Sequence, residues 1–494
     1  MAASQFLAFD LGAESGRAIL GTLDGGNLSL AEKHRFSTPH GKMMGRWQWN
    51  LLALWEELKT GLKKTSADLS GELAGIGVDT WGVDFGLIGE SGEILANPTM
   101  YRDPRTDGMM ERTFAKVPRE TIFRATGVQF MQINTLFQLI AMKERKSELL
   151  ETARTLLFMP DLLNYLLCGS RQSEVSIAST SQMYDPRQRC WATEILQKLE
   201  IPTRILPQIV ASGTVLGNLH EDVAVECGAK TSPVIAPGCH DTASAVAAVP
   251  VEGGDDYCYI SSGTWSLMGV ELKEPIVSDK AIKYNYTNEM GVGPCVRFLK
   301  NIMGLWLVQE CRRYWQKQGN DHGYNELTEM AGRASAFGPL IDPAHPPFLT
   351  PGDMVEKIDA FCAGTKQRKP GTRGEYVRTC LESLALTYRR TIEGLEDILE
   401  RKIRIIHIVG GGTKNELLNQ MTANACGRTV IAGPAEATAI GNVLVQAMAV
   451  GRVKSLEDAR GIVRENFEVL RYEPKDVGKW DRAYERYMGI VGQS

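Results

Sequence analysis

The sequence predicts an α/β protein made of two duplicated domains. At 494 residues the chain is too long for one ordinary hydrophobic core. A short apolar run, Phe6 to Phe9, leads into a turn that starts at Asp10, and a hairpin follows. The second half repeats this order, since 257–260 is an apolar run that leads into Ser261-Ser262-Gly263-Thr264. Strands and amphipathic helices that alternate around such turns are typical of α/β domains.

The elements of the first half follow in order. Residues 17–23 and 28–31 flank an Asp-Gly-Gly-Asn turn and predict a β-hairpin. Asn50 is placed to cap a helix whose apolar residues recur at helical spacing. A second buried strand over 74–78 ends at Asp79.

The second half has the same kinds of element. Residues 265–270 form the return strand of a hairpin, and 377–399 carry one apolar face of a long helix. The apolar run over 403–409 predicts a buried strand, and Asn415 is placed to start a helix. Residues 429–432 predict another strand.

Composition shifts suggest the domain boundary. Pro, Gly and Asp cluster at 250–256, so we expect domains at 1–249 and 250–494. Pro, Gly, Lys and Arg are frequent over 342–374, which reads as a surface insertion. Apolar spacing over 302–308 predicts a helix that packs inward.

Charge and cysteine usage exclude several classes of function. The 55 Lys and Arg against 59 Asp and Glu give a net charge of −4, which favours neither nucleic acid nor an anionic membrane surface. We find no signal-peptide or membrane-spanning pattern, no C-x-x-C pair and no H-x-x-x-H spacing. We therefore expect a cytoplasmic protein, monomer or homodimer, with small-molecule partners.

Asp241 is the first candidate for chemistry. It follows a Pro-Gly-Cys-His turn, precedes a helix of small residues, and lies one strand ahead of the turn at 261–264. A carboxylate can take a proton from an alcohol, while such a turn holds phosphate oxygens through N–H and hydroxyl donors. This pairing suits phosphoryl transfer to an alcohol. The common alternative is that Asp241 only caps its helix.

A second phosphate-type turn covers 10–17. Asp10 can hold Mg²⁺ directly or through water, and Gly12, Ser15 and Gly16 let backbone amides reach phosphate. A hairpin turn with an Asx cap explains the same residues equally well. Arg17 is placed either to touch phosphate or to lie on a solvated strand.

The stretch 79–84 carries two carboxylates, a hydroxyl and an indole. Sugars are bound by this mixture, since carboxylates accept hydroxyl donors and an aromatic face covers C–H groups. The cluster of Asp79, Trp81 and Asp84 therefore predicts a sugar site, with an ordinary strand and turn as the equal alternative. For Trp81 alone, a core role is favoured.

Other motifs are weaker. Gly410-Gly411-Gly412 follows a strand and allows a base or ribose to approach, but tight strand-to-helix turns look the same. Spacing alone favours structural roles for His240, Asn301 and Gln309. The chain has no G-x-x-x-x-G-K-[ST] and no G-x-G-x-x-G motif.

Over about 6–448 the chain resembles the FGGY carbohydrate kinases, which share the ribonuclease-H-like fold of the sugar kinase/actin/Hsp70 ATPases. The strings that carry the resemblance are Asp10-Leu11-Gly12-Ala13, Val78-Asp79-Thr80-Trp81-Gly82-Val83-Asp84-Phe85, Tyr101-Arg102-Asp103, His240-Asp241-Thr242-Ala243-Ser244-Ala245, Ser261-Ser262-Gly263-Thr264-Trp265-Ser266-Leu267-Met268-Gly269, Leu299-Lys300-Asn301-Ile302-Met303-Gly304-Leu305-Trp306-Leu307 and His407-Ile408-Val409-Gly410-Gly411-Gly412.

The resemblance implies an active site in the interdomain cleft, with residues 1–249 binding sugar and 250–494 binding ATP. Asp241 would be the proton acceptor. Ketose contacts would come from Gly82, His240, Thr242 and Asn301. The ATP contacts would come from Ala13, Glu14, Ser15, Gly16, Arg17, Thr264, Gln309 and one glycine of Gly410 to Gly412, with Gly411 favoured. For His240, Asn301 and Gln309 this reverses what spacing favours.

The implied reaction is ATP- and Mg²⁺-dependent phosphorylation of the C1 hydroxyl of L-rhamnulose. The string 300–307 and Trp265 favour this ketose over glycerol, xylulose and gluconate. A related ketose such as L-fuculose or L-xylulose, or a non-catalytic binding role, remains the alternative. Two positions depart from the pattern. Ala13 stands where most of the family has a threonine hydroxyl. Glu14 stands where some relatives have a small polar residue, and it places a carboxylate beside the expected triphosphate.

Overall fold

The computed structural model describes residues 3–69 and 71–491. The strands are β1 Ser4–Leu11, β2 Ser15–Asp24, β3 Asn27–Ser37, β4 His40–Met43, β5 Arg46–Trp49, β6 Gly75–Thr80, β7 Phe85–Ile88, β8 Thr155–Phe158, β9 Ser173–Glu174, β10 Tyr184–Asp185, β11 Cys190–Trp191, β12 Ile209–Val210, β13 Thr214–Asn218, β14 Pro233–Ala236, β15 Tyr257–Ser262, β16 Trp265–Leu272, β17 Thr287–Met290, β18 Val296–Met303, β19 Ile405–Val409, β20 Thr429–Ala432 and β21 Leu470–Tyr472.

The α-helices are α1 Leu51–Ala67, α2 Met109–Lys116, α3 Arg119–Thr126, α4 Thr135–Glu144, α5 Glu148–Thr152, α6 Met159–Cys168, α7 Val175–Ala178, α8 Thr193–Lys198, α9 Glu221–Cys227, α10 Asp241–Ala247, α11 Asp279–Tyr284, α12 Trp306–Lys317, α13 Tyr324–Arg333, α14 Met354–Gly364, α15 Arg373–Leu399, α16 Glu416–Cys426, α17 Ala437–Ala449, α18 Leu456–Asn466 and α19 Val477–Val491. Within the described ranges, no helix combines the length and the apolar character needed to cross a membrane.

The chain divides into two compact units, neither of which is continuous in sequence. Unit 1 contains Met1–Glu252, Glu271–Leu299 and Ala437–Phe467. Unit 2 contains Gly253–Val270, Lys300–Glu436 and Glu468–Ser494. Each unit is built on a mixed β-sheet with helices packed against it.

In unit 1 the sheet order is β13-β14-β6-β1-β2-β3. Strands β14, β6 and β1 are parallel neighbours, and β1, β2 and β3 form an antiparallel meander. The predicted hairpin over 17–31 is confirmed. The helix at Asn50 is confirmed as well, because the Asn50 side chain accepts a 3.1 Å hydrogen bond from the backbone N–H of Ala53. Since β14, β6 and β1 run the same way, their carboxyl ends meet at one sheet edge.

In unit 2 the sheet contains β16-β15-β19-β20-β21 in that order. Strands β15, β19 and β20 are parallel, while β16 and β21 pair antiparallel at the two sides. The 27-residue helix α15 and the strands predicted around 257–270 and 403–432 are confirmed. Asn415 caps α16 through a 2.9 Å bond from the Leu418 N–H, as predicted.

Two sequence predictions in the second half are wrong in part. Residues 302 and 303 end strand β18, and helix α12 begins only at Trp306. Gly304 follows the strand, and a Cβ there would lie 2.7 Å from the Trp265 carbonyl carbon and 2.8 Å from the Gly263 oxygen, so no larger residue fits. The supposed surface insertion over 342–374 contains α14, which packs against α12 and buries Met354, Ile358 and Cys362 completely.

Candidate active site

Three carboxylates of unit 1 lie at the ends of neighbouring parallel strands, and we call them the strand-end carboxylates: Asp10, Asp79 and Asp241. Asp10 of β1 is the register partner of Asp79 of β6. Thr80, the last residue of β6, forms a parallel bridge with His240, which directly precedes Asp241. The sheet therefore gathers residues that are more than 200 positions apart in the sequence.

Asp79 is completely buried. Its Oδ2 accepts a 2.6 Å hydrogen bond from Asn442 Nδ2, and its Oδ1 has no hydrogen-bond partner. Burial raises the pKa of Asp79 well above its usual range, and the charge of Asp10 raises it further. A buried carboxylate oxygen without a protein partner is rare, which favours a role in binding a further group.

Sequence reasoning missed the residues that hold Asp79. Asn442 and Gln446 lie one turn apart on the mostly apolar helix α17, and Gln446 Nε2 donates to Asn442 Oδ1 at 2.7 Å. The available sequence signal was two amide side chains four positions apart in a mostly apolar helix, a spacing that places them on one face. Gly441 lets α17 pack tightly against α10, since a Cβ there would lie 1.8 Å from the Ser244 carbonyl oxygen.

Asp241 is the first residue of α10, and the N-cap position belongs to His240, which makes no side-chain capping bond. The alternative that Asp241 merely caps this helix is therefore wrong. The Thr242 hydroxyl donates to Asp241 Oδ1 at 3.1 Å, and His240 Nε2 lies 3.5 Å from the same oxygen. The side chain is still 30% exposed, so it is open to a substrate. Burial raises its pKa, and His240 partly offsets the rise.

The backbone of this turn is held by a second buried acid that the sequence did not reveal. Glu174 Oε2 accepts hydrogen bonds from the Ser176 hydroxyl at 2.5 Å and from the Cys239 N–H at 3.1 Å. The His240 N–H in turn donates to Ser176 Oγ at 3.1 Å. Burial raises the pKa of Glu174. These bonds fix the turn from which Asp241 projects.

Asp84 has a different environment from the strand-end carboxylates. Its Oδ2 accepts hydrogen bonds from the indoles of Trp49 at 2.7 Å and Trp81 at 3.0 Å, and from the Tyr101 N–H at 3.2 Å. Its Oδ1 accepts from Gln138 Nε2 at 3.2 Å. Burial raises the pKa of Asp84 to about 6, against the effect of these donors. Asp84 therefore orients the two indoles, whose ring centroids are 4.2 Å apart.

The turn between Asp79 and Asp84 is held in an uncommon conformation. Val83 has φ of 68°, which a β-branched residue rarely adopts. Its N–H donates to Thr180 Oγ1 at 3.3 Å, and its carbonyl accepts from Thr135 Oγ1 at 2.7 Å. A Cβ on Gly82 would lie 3.2 Å from Thr180 Oγ1, so glycine lets Thr180 pack closely against the turn. Strain of this kind persists where the surroundings enforce it.

The phosphate-type turn over 10–17 connects β1 and β2. Ala13 and Glu14 are half-buried, Ser15 is exposed, and the Gly12 N–H bonds the Ser15 carbonyl at 3.0 Å. Gly16 has a packing role, because a Cβ there would lie 2.3 Å from the Phe36 ring. Arg17 is not a solvated strand residue, since Arg17 Nη2 pairs with Asp10 Oδ2 at 2.5 Å.

In unit 2, the turn after β15 and the triple glycine lie against each other. A Cβ on Gly412 would lie 2.0 Å from Ser262 Oγ, and one on Gly410 would lie 3.1 Å from the Ser262 carbonyl. Gly410 also has φ of 86°, which favours glycine. Gly411 has open space around its Cβ position. Two predicted nucleotide turns thus meet within one unit.

The start of α12 joins the same region of unit 2. The N–H groups of Gly304 and Trp306 donate to the Thr264 carbonyl at 3.1 and 3.2 Å. One turn further on, Gln309 Oε1 is buried without a hydrogen-bond partner, as expected for a group that binds a ligand. Asn301 lies half-buried on β18. Among the described residues, no three His, Cys, Asp or Glu side chains are arranged to hold a metal ion.

The comparison with known families decides what this arrangement is. Residues 5–248 match the N-terminal domain and residues 258–450 the C-terminal domain of the FGGY family of carbohydrate kinases. The chain belongs to this family. The FGGY protein is therefore an enzyme that phosphorylates a sugar with ATP as donor, and the predicted fold class and chemistry are confirmed.

Curated relatives narrow the position of this FGGY kinase within the family. It is 42% identical to a rhamnulokinase of Bacteroides thetaiotaomicron over 98% of this chain and 99% of that one. It is 40% identical to a rhamnulokinase of Oceanobacillus iheyensis over 94% and 97% of the two chains.

Solved structures agree on the fold. A ligand-bound xylulose kinase from Lactobacillus acidophilus superposes with a TM-score of 0.80 at 14% identity, over 99% of this chain and 98% of that one. A Plasmodium falciparum glycerol kinase with ADP superposes with a TM-score of 0.75 at 16% identity, over 99% and 98%. At these identities the likeness shows the shared two-domain kinase fold.

Proposed function

We propose that this kinase transfers the γ-phosphoryl group of ATP to the C1 hydroxyl of L-rhamnulose, which gives L-rhamnulose 1-phosphate and ADP. The near full-length similarity to rhamnulokinases supports the choice of sugar. The proposed chemistry rests mainly on the position of Asp241. Its side chain lies near the ends of the parallel strands, is partly exposed and does not cap helix α10.

Asp241 acts as proton acceptor in this proposal. As the C1 oxygen forms its bond to the γ-phosphorus, the bond from that phosphorus to the β,γ-bridging oxygen breaks and ADP leaves. The C1 hydroxyl proton passes to the Asp241 carboxylate. Positioning and charge stabilisation supply most of the rate in such reactions, so a strongly raised pKa is not required of the base.

The ketose contacts are proposed within unit 1 from His240, Thr242, Gly82 and the Trp81 face, with Asn301 as a further contact. The Thr242 hydroxyl already bonds Asp241, so we assign it to holding the base as well as the sugar. Asp84 is assigned to holding Trp81 and Trp49, because both of its oxygens accept bonds from protein donors. We keep 1–249 as the sugar-binding part and 250–494 as the ATP-binding part of this proposal.

The ATP contacts are proposed from the 13–17 turn, Thr264, Gln309 and the triple glycine, with Gly411 beside the adenosine because its Cβ position is open. ATP enters as its Mg²⁺ complex, and the bound ion neutralises charge that develops on the phosphates. Asp10 and the unpartnered Oδ1 of Asp79 are oxygen ligands of the kind this ion prefers. These two carboxylates would hold the ion, directly or through water. A cytoplasmic location and a monomeric or homodimeric state complete the proposal.

The test is ADP release by the purified protein with MgATP and a panel of acceptors: L-rhamnulose, L-fuculose, L-xylulose, D-xylulose and glycerol. The proposal requires the highest kcat/KM for L-rhamnulose. A preference for another ketose would keep the kinase chemistry and replace the substrate. Binding of ATP with no sugar-dependent ADP release would instead indicate a non-catalytic homologue.

A further inference from the structure

A buried ion pair in unit 1 contacts His240 on the side opposite to Asp241. Glu289 of β17 and Arg297 of β18 are directly opposed in the antiparallel register. Arg297 Nη2 lies 3.2 Å from Glu289 Oε2, and the two side chains are 0% and 3% exposed. Burying a charge this deeply costs free energy unless the charge has a partner. This cost suggests that the pair has a specific role in the fold or the site.

Arg297 and Glu289 both contact the same nitrogen of the His240 imidazole. Arg297 Nη2 lies 3.1 Å from His240 Nδ1, and Glu289 Oε2 lies 3.2 Å from the same atom. The other ring nitrogen, Nε2, lies 3.5 Å from Asp241 Oδ1. His240 is 6% exposed and thus has little freedom to turn. Whether Nδ1 carries the proton of the neutral ring therefore decides whether Nε2 acts as a hydrogen-bond donor or acceptor toward Asp241 and a substrate.

We infer that Arg297 and Glu289 are positioning residues that hold His240 with its proton on Nε2. A guanidinium can only donate, and Glu289 Oε2 already accepts from Arg297 Nη2. We therefore assign Nδ1 as the acceptor of the Arg297 bond, which leaves the proton of the neutral ring on Nε2. Glu289 holds Arg297 in place by accepting from the same Nη2 group, and Arg297 Nε donates to the Met290 carbonyl at 3.1 Å. The Nε2–H then donates toward the substrate side.

This inference rests on the proposed role of His240 in ketose binding. In that role, an Nε2–H donor bonds an oxygen of the ketose beside the attacking C1 hydroxyl. With the proton on Nδ1 the ring would offer only a lone pair there. The ion pair thus acts on the sugar through His240 and contacts no part of ATP in this scheme.

The main test removes both charges together in E289Q/R297M, because a single neutralisation leaves a buried charge without its partner. We expect a folded enzyme with a KM for L-rhamnulose raised about tenfold, the change that one lost hydrogen bond produces. The KM for MgATP should change less than twofold. R297K, which keeps the charge and a donor, should recover part of the ketose affinity.

The matched control is the pair of Arg378 and Glu382 on α15, with Nε and Oε1 2.7 Å apart and side chains 14% and 1% exposed. R378M/E382Q should lower stability by a similar amount and leave the KM for ketose unchanged. A folded E289Q/R297M enzyme with the wild-type ketose KM would overturn the inference.

A spectroscopic measurement tests the inference without turnover. The full-length protein is labelled with ¹⁵N in its histidine rings, and the His240 signals are assigned by their loss in H240Q. The inference requires an unprotonated Nδ1 and a protonated Nε2 in the wild type. The opposite tautomer would contradict it, even if E289Q/R297M failed to fold. If the wild type phosphorylates no ketose, the proposed function fails while this measurement still decides the tautomer.

Discussion

Two kinds of carboxylate stand close together in the sequence of unit 1 and differ in what surrounds them. Asp79 and Asp84 are both completely buried, and burial raises the pKa of each. Both oxygens of Asp84 accept bonds from protein donors, whereas Oδ1 of Asp79 has none. The Thr242 hydroxyl and His240 Nε2 both contact Oδ1 of Asp241, and the Asp241 side chain is partly exposed.

This contrast separates acids that hold a local arrangement from acids that have an oxygen left for a further group. A carboxylate with both oxygens satisfied by protein stabilises a local arrangement, here the two indoles. A carboxylate with an unsatisfied or open oxygen at the ends of parallel strands is available to substrates. The following variants test this division.

The largest effect is expected at Asp241. D241N keeps the shape but cannot accept the C1 proton, so kcat should fall by about 10³-fold or more while the ketose still binds. Sugar-dependent ADP release and ketose binding by calorimetry measure the two effects. D222N, at the exposed start of α9, is the control and should retain full activity. Near-normal turnover by D241N would reject Asp241 as the proton acceptor.

A stability effect with a defined pH dependence is expected at Asp84. Its pKa is about 6 in the folded protein and near 3.8 when unfolded, so the folded state binds more protons between these values. The wild type therefore gains stability from this group as pH falls from 7.5 to 4.5, and D84N does not.

The cost of D84N should accordingly be about 2 kcal/mol larger at pH 4.5 than at pH 7.5. Denaturant unfolding of both proteins at the two pH values gives this difference, with D222N as control. A cost that is the same at both pH values would mean that Asp84 is not protonated in the fold.

A smaller effect is expected at Asn442, which holds Asp79. N442A removes the 2.6 Å bond to Oδ2 and raises the pKa of Asp79 further, because that bond favours the charged form. We expect kcat to fall about tenfold, which corresponds to one bond to a charged group. V445A, as the control, removes buried apolar contacts on the same helix and leaves the Asn442–Asp79 bond in place. An equal loss of kcat in both variants would indicate a packing effect alone.

The smallest effect is expected at Glu14, a half-buried carboxylate in the 13–17 turn. If its charge opposes the triphosphate, E14Q should lower the KM for MgATP about twofold, in the range of exposed charge pairs. Steady-state kinetics at low and high salt check this, since salt should reduce the difference. An increased KM would show instead that Glu14 supports the bound nucleotide complex.

Much of the fold followed from the sequence because the signals were local. The hairpin over 17–31, the Asn50 and Asn415 caps and the long helix α15 depend on residues within a few positions of each other. The helix predicted over 302–308 begins only at Trp306, because residues 296–303 form a strand that pairs with β17, which local spacing does not record.

The candidate site was predictable only in part for the same reason. Asp10, Asp79 and Asp241 stand out in the sequence because each follows a buried strand or a turn. The residues that hold these carboxylates and the neighbouring turn do not stand out. Asn442, Glu174 and Arg297 contact residues far away in the sequence, which local spacing cannot reveal. Family resemblance assigned His240 a role, and the structure shows the groups that orient it.

The most direct test of the central claim is the identity of the product formed from L-rhamnulose and MgATP. We expect one product whose ³¹P nucleus couples to the C1 carbon and its protons, formed together with one equivalent of ADP. A phosphate on another carbon, or ADP formed without a phosphorylated sugar, would contradict the assignment of the C1 hydroxyl as the nucleophile that Asp241 deprotonates.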